Sequence, residues 1–364
     1  MTSQGRAVGF LVIGAGFLGA QRAAAVVAAR GARLIGVVDT DERTAARVAR
    51  RHQVLADVDF ESALLHPGID AVIVATPHAD HNRQVMAALE AGKHVLCEKP
   101  LTLDPDEARL LAMRADEQRR RLATGLNHRF YPPVSDALEM VAAWKIGRVE
   151  SVRAEIGHCA SPEFLASWHT DLARSGGGTL MDNGPHACDL IRQFLGEVVA
   201  TKGYVRETIG LPRRCEVEAY ALFRDFDQGF GELRSSWNQP TGYLTVEVRG
   251  SEGWLRVETA PWRLTGELAN GRRLARSYLA DRVAERVFRA RFGCERSLVQ
   301  EIEAFLEPET PALRRGATGW DGCRVIEMID AVYRSHAEGS EIRLEPPLVH
   351  LPTVVRQHAM GRVA

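Results

Sequence analysis

Two short motifs in this 364-residue sequence contain residue types that can move protons. In the first, Lys99 lies between a glutamate and a proline, and a lysine can hydrogen-bond a hydroxyl group and stabilise a developing oxyanion. The second, residues 175–189, contains a run of three glycines followed by Asp182 and, four positions later, His186. The positive end of a helix disfavours the imidazolium in its first turn, so such a histidine can accept a proton at cellular pH. Asp182 can orient that ring, and the pattern therefore indicates acid–base chemistry.

Each of these three residues also has a purely structural explanation. Lys99 fits a surface lysine after a strand, Asp182 a helix cap, and His186 a surface residue in the first turn of a helix that begins near Pro185. Taken singly, the structural explanations are the stronger ones. The case for chemistry therefore depends on the elements that surround the motifs.

A glycine-rich loop near the N-terminus predicts where a dinucleotide binds. Gly14, Gly16 and Gly19 follow a predicted strand and open a predicted helix. In such loops the first glycine permits the tight turn, the second lets the backbone approach a pyrophosphate, and the third permits close packing of helix and strand. The phosphates then lie at the positive helix N-terminus. Phe17 and Leu18 lie within the loop, and we expect them to line the same site.

An acidic residue after the second predicted strand indicates which dinucleotide binds. Asp39 follows the loop by about 20 residues, where a carboxylate binds the ribose hydroxyls and repels a 2′-phosphate. This favours NAD over NADP. Arg43 follows closely in sequence and weakens the preference, so NADP stays the less favoured alternative.

Residues at the ends of further strands are expected beside the same ligand. Thr76 and Pro77 end the third predicted strand, at the sheet edge that faces the cofactor crevice. His81 and Asn82 have two interpretations of equal weight: His81 contacts the cofactor, or both residues only start the following helix.

The first third of the chain alternates strand and helix patterns, which indicates a parallel sheet with helical crossovers. The predicted strands cover residues 8–13, 34–39, 71–76, 94–98 and 121–126, and predicted helices follow the first four of them. After residue 126 strands succeed one another with few helices, and residues 216–224 alternate apolar and polar side chains as a half-buried strand does. The sequence therefore predicts an α/β fold, with a Rossmann domain at 1–126 and an α+β domain with an antiparallel sheet at 127–364.

Composition excludes several classes of protein. The formal net charge of −1 does not suggest binding to nucleic acid or an anionic membrane surface. The six cysteines form no paired motif, so neither a metal site nor a disulfide framework is expected. The N-terminal residues lack a signal-peptide pattern and no apolar run is long enough to span a membrane, which favours the cytoplasm. The arginines between residues 272 and 296 favour a solvated helix face over a phosphate contact.

Three segments together, residues 75–77, 94–101 and 177–186, closely resemble the Gfo/Idh/MocA oxidoreductase family, named after glucose–fructose oxidoreductase and inositol dehydrogenase. The resemblance implies a second domain with a large open sheet, and a homodimer or homotetramer formed through that sheet. It implies active-site roles for Lys99, Asp182 and His186, and a place beside the cofactor for Glu98 and Asn127.

The same resemblance suggests residues that contact a substrate. Arg129, Trp168, His169 and Asn183 are the candidates. Family members often carry Trp-Arg where this chain has Trp168-His169. His169 and Asp171 therefore either shape substrate choice or are plain loop residues, the latter being the favoured reading.

The activity that the resemblance implies is oxidation of a secondary hydroxyl, or reduction of a keto group, in a sugar, nucleotide-sugar or (amino)cyclitol. Two alternatives stay open. One is an NAD-dependent glycosidase with transient redox, and the other is a non-enzymatic NAD-binding regulatory protein. Regulatory relatives tend to lose the catalytic residues, whereas this chain retains all three.

Overall fold

The computed structural model describes residues 6–207, 215–307 and 316–347, and the chain divides into two compact units. The N-terminal unit contains residues 1–130 and 282–323, and the C-terminal unit contains residues 131–281 and 324–364. The predicted division had one boundary near Asn127. The structure instead returns residues 282–323 to the N-terminal unit.

The strands and helices are numbered in chain order. The strands are β1 (Val8–Ile13), β2 (Ala32–Val38), β3 (Leu55–Asp57), β4 (Ala71–Val74), β5 (His94–Glu98), β6 (Leu122–Gly125), β7 (Val149–Cys159), β8 (Val198–Glu207), β9 (Glu216–Asp225), β10 (Phe230–Ser236), β11 (Asn238–Gly250), β12 (Gly253–Thr259), β13 (Trp262–Glu267), β14 (Arg273–Ser277) and β15 (Ile342–Arg343). The helices are α1 (Phe17–Ala28), α2 (Glu42–His52), α3 (Phe60–Leu64), α4 (His81–Glu90), α5 (Pro105–Glu117), α6 (Pro132–Ala142), α7 (Pro162–Leu165), α8 (Leu172–Ser175), α9 (Thr179–Asp182), α10 (Gly184–Leu195), α11 (Leu279–Phe292), α12 (Arg296–Leu306) and α13 (Gly319–Glu338).

The N-terminal unit is built on a six-stranded parallel sheet in the order β3-β2-β1-β4-β5-β6. Its central strands are continuous apolar runs because helices cover both faces of such a sheet. All six residues of β1 are buried. This confirms the predicted parallel sheet and places the ends of β1, β2, β4 and β5 along one edge.

Residues 282–323 join this unit through the apolar face of α12. Val299, Ile302 and Phe305 on α12 are buried in one core with the alanine-rich face of α1. The ring of Phe305 lies 6.1 Å from that of Phe10 on β1. Since α1 has small side chains, α12 can pack closely against it and cover the sheet from the same side.

The C-terminal unit is built on a nine-stranded sheet in the order β14-β13-β12-β11-β7-β10-β9-β8-β15. Only the neighbours β7 and β10 run parallel within this order, which confirms a mainly antiparallel sheet. The predicted alternation in β9 is also present, with Val217, Ala219, Ala221 and Phe223 buried.

On one face of this sheet α10, all of whose residues are buried, packs against β7 and β10. The opposite face exposes large side chains from three adjacent strands, among them Tyr204, Tyr220, Leu222 and Phe230. Across the described residues, the helices are all too short or too polar to cross a bilayer.

The arginine-rich segment forms the edge strand β14 and the helix α11. In α11, Arg289 pairs with Glu285 at 3.0 Å and with Glu295 at 2.6 Å. Arg286 and Arg291 are exposed.

Candidate functional site

The glycine-rich loop of the N-terminal unit has the shape that a pyrophosphate needs. Gly14 has a φ of +90°, and a Cβ there would lie 2.4 Å from the carbonyl oxygen of Ala75. A Cβ on Gly19 would lie 1.8 Å from the carbonyl oxygen of Gly14. A Cβ on Gly16 would have no neighbour within 4 Å, so the backbone is open there to a ligand. The loop therefore fits a dinucleotide, and Phe17, 87% exposed, begins α1 beside it.

Asp39 supports the loop from the end of β2. Its Oδ2 accepts a hydrogen bond from the Ala15 N–H at 2.8 Å, and its Oδ1 accepts one from the Asp41 N–H at 3.0 Å. The guanidinium of Arg47 lies 3.4 Å from the carbonyl oxygen of Ala15. Sequence reasoning named Arg43 and missed Arg47, although Arg47 lies one helical turn further along α2 on the same side.

His81 joins the two loops that follow β4 and β5. Its Nδ1 lies 2.7 Å from the carbonyl oxygen of Pro100, and its Nε2 lies 3.0 Å from that of Thr76. The side chain is fully buried, and burial lowers the pKa of His81. The structure thus gives His81 a supporting position between the loops, while Thr76 and Pro77 follow β4 at the predicted edge.

Glu98 lies in a buried ionic triad with Arg22 and Glu301. The Nε of Arg22 lies 2.5 Å from Oε1 of Glu98, and its terminal nitrogen Nη1 lies 2.7 Å from Oε2 of Glu301. Burial raises the pKa of Glu301 to about 7. Burial alone would lower the pKa of Arg22, but the two carboxylates together raise it. The triad connects α1, β5 and α12 directly behind Lys99.

Sequence reasoning found only one member of this triad. Arg22 is the charged residue among the buried positions of α1, and Glu301 is the charged residue among those of α12. A charged residue at a position where the helix pattern demands an apolar one was the available signal.

Lys99 follows β5 and is partly buried, and its peptide bond to Pro100 is cis. Burial and the positive charge of Lys99 lower the pKa of His128 to about 3, which keeps this imidazole neutral. The predicted site residues on either side of His128 contact other parts of the N-terminal unit. Asn127 donates to Oγ of Ser297 at 2.9 Å, and the buried Arg129 lies 3.5 Å from Asp321. Sequence reasoning thus named both neighbours of His128 but missed His128 itself.

In the C-terminal unit, Glu216 holds the glycine run. Its carboxylate accepts hydrogen bonds from the N–H groups of Gly178 at 2.7 Å and Leu180 at 2.9 Å, and from the Tyr333 hydroxyl at 2.8 Å. Burial raises the pKa of Glu216. A Cβ on Gly177 would lie 2.1 Å from the Tyr333 oxygen, so the glycines are needed for this close approach. Glu216 and Tyr333 were not predicted, since they are distant from the motif in sequence.

The motif itself places its polar residues at the junction of α9 and α10. Asp182 ends α9, and its Oδ2 accepts a hydrogen bond from the indole N–H of Trp237 at 3.2 Å. The side-chain amide of Asn183 lies 3.2 Å from Oγ1 of Thr179 and 3.2 Å from Nδ1 of His158. His186 lies in the first turn of α10, as predicted, and is 7% exposed.

The segment before the glycine run forms an aromatic stack. The His169 ring lies between Trp168, at 4.0 Å, and Phe164, at 4.3 Å. Its Nδ1 lies 2.7 Å from Oγ of Ser167. Asp171 precedes α8 as its N-terminal flanking residue. These contacts fix the orientation of the His169 ring.

Two family models match the chain. Residues 8–126 match the model of the oxidoreductase family with an NAD-binding Rossmann fold, and residues 134–256 match the model of the Gfo/Idh/MocA C-terminal domain. The chain belongs to the Gfo/Idh/MocA family. Membership confirms the resemblance inferred from the motifs, and with it the Rossmann domain and NAD as the cofactor.

Relatives within the Gfo/Idh/MocA family align over most of the chain. Inositol 2-dehydrogenase of Rhizobium meliloti strain 1021 is 28% identical over 346 residues, which cover 93% of this chain and 99% of that protein. The scyllo-inositol 2-dehydrogenase (NAD⁺) of Bacillus subtilis strain 168 is 29% identical over 255 residues, covering 68% of this chain and 73% of that protein. GenD2 from gentamicin A biosynthesis, solved in complex with NAD, is 29% identical with a TM-score of 0.77, covering 94% of this chain and 97% of GenD2.

Proposed function

We propose that this protein is an NAD-dependent dehydrogenase that oxidises a secondary hydroxyl of a sugar or cyclitol, or reduces the corresponding ketone. One observation carries the proposal. An NAD-binding domain occurs together with Lys99 after β5 and with His186 at the start of α10, four positions after Asp182 in the same motif. The names of the relatives, inositol dehydrogenases among them, support the substrate class.

Each of the three residues has a defined task in this reaction. His186 accepts the proton of the substrate hydroxyl, and Lys99 hydrogen-bonds the same oxygen and favours its alkoxide character. Asp182 sets the orientation and basicity of His186. When bound, NAD supplies the acceptor for the carbon-bound hydrogen, and the substrate is left as a carbonyl compound. Placed acid–base groups of this kind contribute roughly 10²- to 10⁴-fold to the rate.

In this proposal the N-terminal unit binds the cofactor and provides the surroundings of Lys99. The open backbone at Gly16 admits the phosphates, while Asp39 and Arg47 flank the loop. His128 is held neutral beside Lys99, so that it adds no second positive charge there. The buried triad of Arg22, Glu98 and Glu301 fixes the end of β5, which Lys99 directly follows.

The test is absorbance at the NADH band, with NAD and a panel containing free sugars, nucleotide-sugars, inositols and aminocyclitols. We expect NADH to accumulate with at least one polyol. A flat response throughout, from protein shown to bind NAD, would contradict the proposal. Release of a sugar from a glycoside without NADH accumulation would indicate the glycosidase alternative instead.

We also propose that the active protein is a homodimer or homotetramer formed through the exposed face of the nine-stranded sheet. Aromatic and aliphatic side chains on that face support an interface, because contiguous exposed apolar surface is uncommon on monomers.

A further inference from the structure

Trp237, between β10 and β11, contacts the candidate proton-transfer motif from behind. Its side chain is 2% exposed, and its indole N–H points to Oδ2 of Asp182 at 3.2 Å. Its backbone N–H donates to the carbonyl of Val217 at 2.9 Å, and its own carbonyl accepts from the N–H of Ala160 at 3.0 Å. Both backbone groups are therefore fixed by neighbouring strand ends.

The indole ring is held by aromatic neighbours as well. Phe164 meets it edge-to-face at 5.2 Å and 81°, and His158 lies 6.4 Å away. Cys215 and Val217 pack with it in a small buried cluster. Trp237 also lines a cavity of about 400 Å³ together with Cys159 and Gln239. With backbone and ring both constrained, the direction of the N–H is set by the fold rather than by the carboxylate.

We propose that Trp237 is a positioning residue that holds the Asp182 carboxylate through a neutral donor, an inference that rests on the proposed function. A hydrogen bond from a neutral N–H fixes one carboxylate oxygen without cancelling the negative charge. The charge stays available to orient and polarise His186. A lysine or arginine in the same place would fix the oxygen but compensate the charge.

The first test is kinetic. Trp237→Phe keeps an aromatic ring against Phe164 and removes the donor. We expect kcat/KM to fall roughly 10-fold or more, mainly through kcat, since a hydrogen bond to a charged group has about this effect. NAD affinity should not change. Leu165→Ala trims a side chain that packs on the same cluster without removing the N–H, and should leave kcat within about two-fold of wild type.

A double-mutant cycle separates positioning from packing. If Trp237 acts through Asp182, Trp237→Phe should cost little in an Asp182→Asn background, because the charge that it positions is already absent. Independent losses that multiply, or full activity of Trp237→Phe, would overturn the proposal.

A second readout does not depend on activity. The ¹⁵N–¹H signal of the Trp237 indole is assigned by its disappearance in Trp237→Phe. We expect Asp182→Asn to shift this signal upfield, because a neutral acceptor polarises the N–H less. Glu163→Gln, which replaces an exposed carboxylate on α7, is the matched control and should not move it. If no polyol yields NADH, the proposed function fails on its own, and an indole signal unmoved by Asp182→Asn overturns the inference about Trp237.

Discussion

Lys99 is the single residue whose replacement bears most directly on the proposed reaction. Lys99→Ala should remove most turnover and spare NAD binding, because the lysine is expected to contact the reacting oxygen while the glycine loop holds the phosphates. Steady-state kinetics and an NAD titration measure the two effects separately. Lys93→Ala is the matched control, since Lys93 lies just before the other end of β5 and donates a hydrogen bond to the carbonyl oxygen of Ile69 at 2.9 Å. Equal loss of turnover and NAD binding in Lys99→Ala would make Lys99 a cofactor residue.

The buried triad predicts opposite outcomes for two neighbouring substitutions. Arg22→Met leaves the carboxylates of Glu98 and Glu301 in the interior with no cation between them, and should destabilise the protein by about 3–5 kcal/mol. Glu301→Gln leaves one guanidinium with one carboxylate and should be tolerated. Urea unfolding of both variants measures the difference. Equal destabilisation by the two substitutions would show that shape, rather than charge balance, matters at this position.

Glu301 also predicts a dependence of stability on pH. Burial raises its pKa to about 7, from an ordinary value of 4.5, in a setting that faces Arg22, Glu98 and Arg129. Between these two values the folded protein binds more protons than the unfolded chain, so this group's contribution to stability falls as the pH rises. The unfolding free energy of Glu301→Gln relative to wild type should therefore increase from pH 5 to pH 8. A difference that stays constant across this range would contradict the assignment.

Residue identities could be predicted from motifs, but their surroundings could not. Lys99 was placed at a strand end and His186 in a first helical turn, as the structure has them, whereas Asp182, considered as a cap of the helix near Pro185, ends the separate helix α9. Arg22, Glu301 and Trp237 were missed, because their contacts join segments far apart in the chain. A pattern within one segment carries no information about such partners.

At the scale of elements, α9 shows how a distant strand holds a motif in place. A Cβ on Gly178 would lie 1.9 Å from the backbone carbonyl oxygen of Glu216, and a backbone atom cannot move aside as the end of a flexible side chain can. Gly178→Ala should destabilise the protein by about 1–3 kcal/mol or more and lower activity by displacing Asp182. Gly242→Ala, whose Cβ would lie 3.9 Å from that of His158, is the control expected to be neutral. Thermal unfolding and kcat measure both effects, and equal behaviour of the two variants would count against the close approach.

Local signals predicted most element boundaries well. β1 and β5 have the predicted limits. β3 was missed because three residues are too few to show a period. α10 is buried all round, and its Arg192 is paired with Glu197 at 2.9 Å.

At the scale of the whole molecule, the two sheets differ in how far their strand order can be predicted from the sequence. Alternating strands and helices determine a parallel sheet almost completely, since crossovers are right-handed and neighbours are close in sequence. The second sheet is different, because β7 lies between β10 and β11, about 70 residues or more further along the chain. Its register depends on contacts that no local pattern reveals.

The exposed face of that sheet carries the last prediction, which concerns the assembly of the molecule. Tyr220 and Leu222 on β9 lie beside Tyr204 on β8 and Phe230 on β10, all of them exposed. Arginine–glutamate pairs surround them, such as Arg153 with Glu155 at 2.9 Å and Arg206 with Glu218 at 2.9 Å. A face that carries both signs of charge around apolar side chains is complementary to a second copy of itself.

Introducing two charges on β9, in the middle of this group of exposed apolar side chains, should therefore separate the subunits. We expect wild-type protein to have at least twice the molar mass of one chain by light scattering, and the double variant Tyr220→Glu, Leu222→Glu to have the mass of one chain. Leu65→Glu places the same charge on a leucine in the N-terminal unit that is 79% exposed, and should leave the mass unchanged. A wild-type protein with the mass of one chain, or a double variant that stays assembled, would assign the exposed apolar face to another role. Because both substitutions lie on the surface opposite α10, the fold of the C-terminal unit and the helix that carries His186 should persist in the separated subunit.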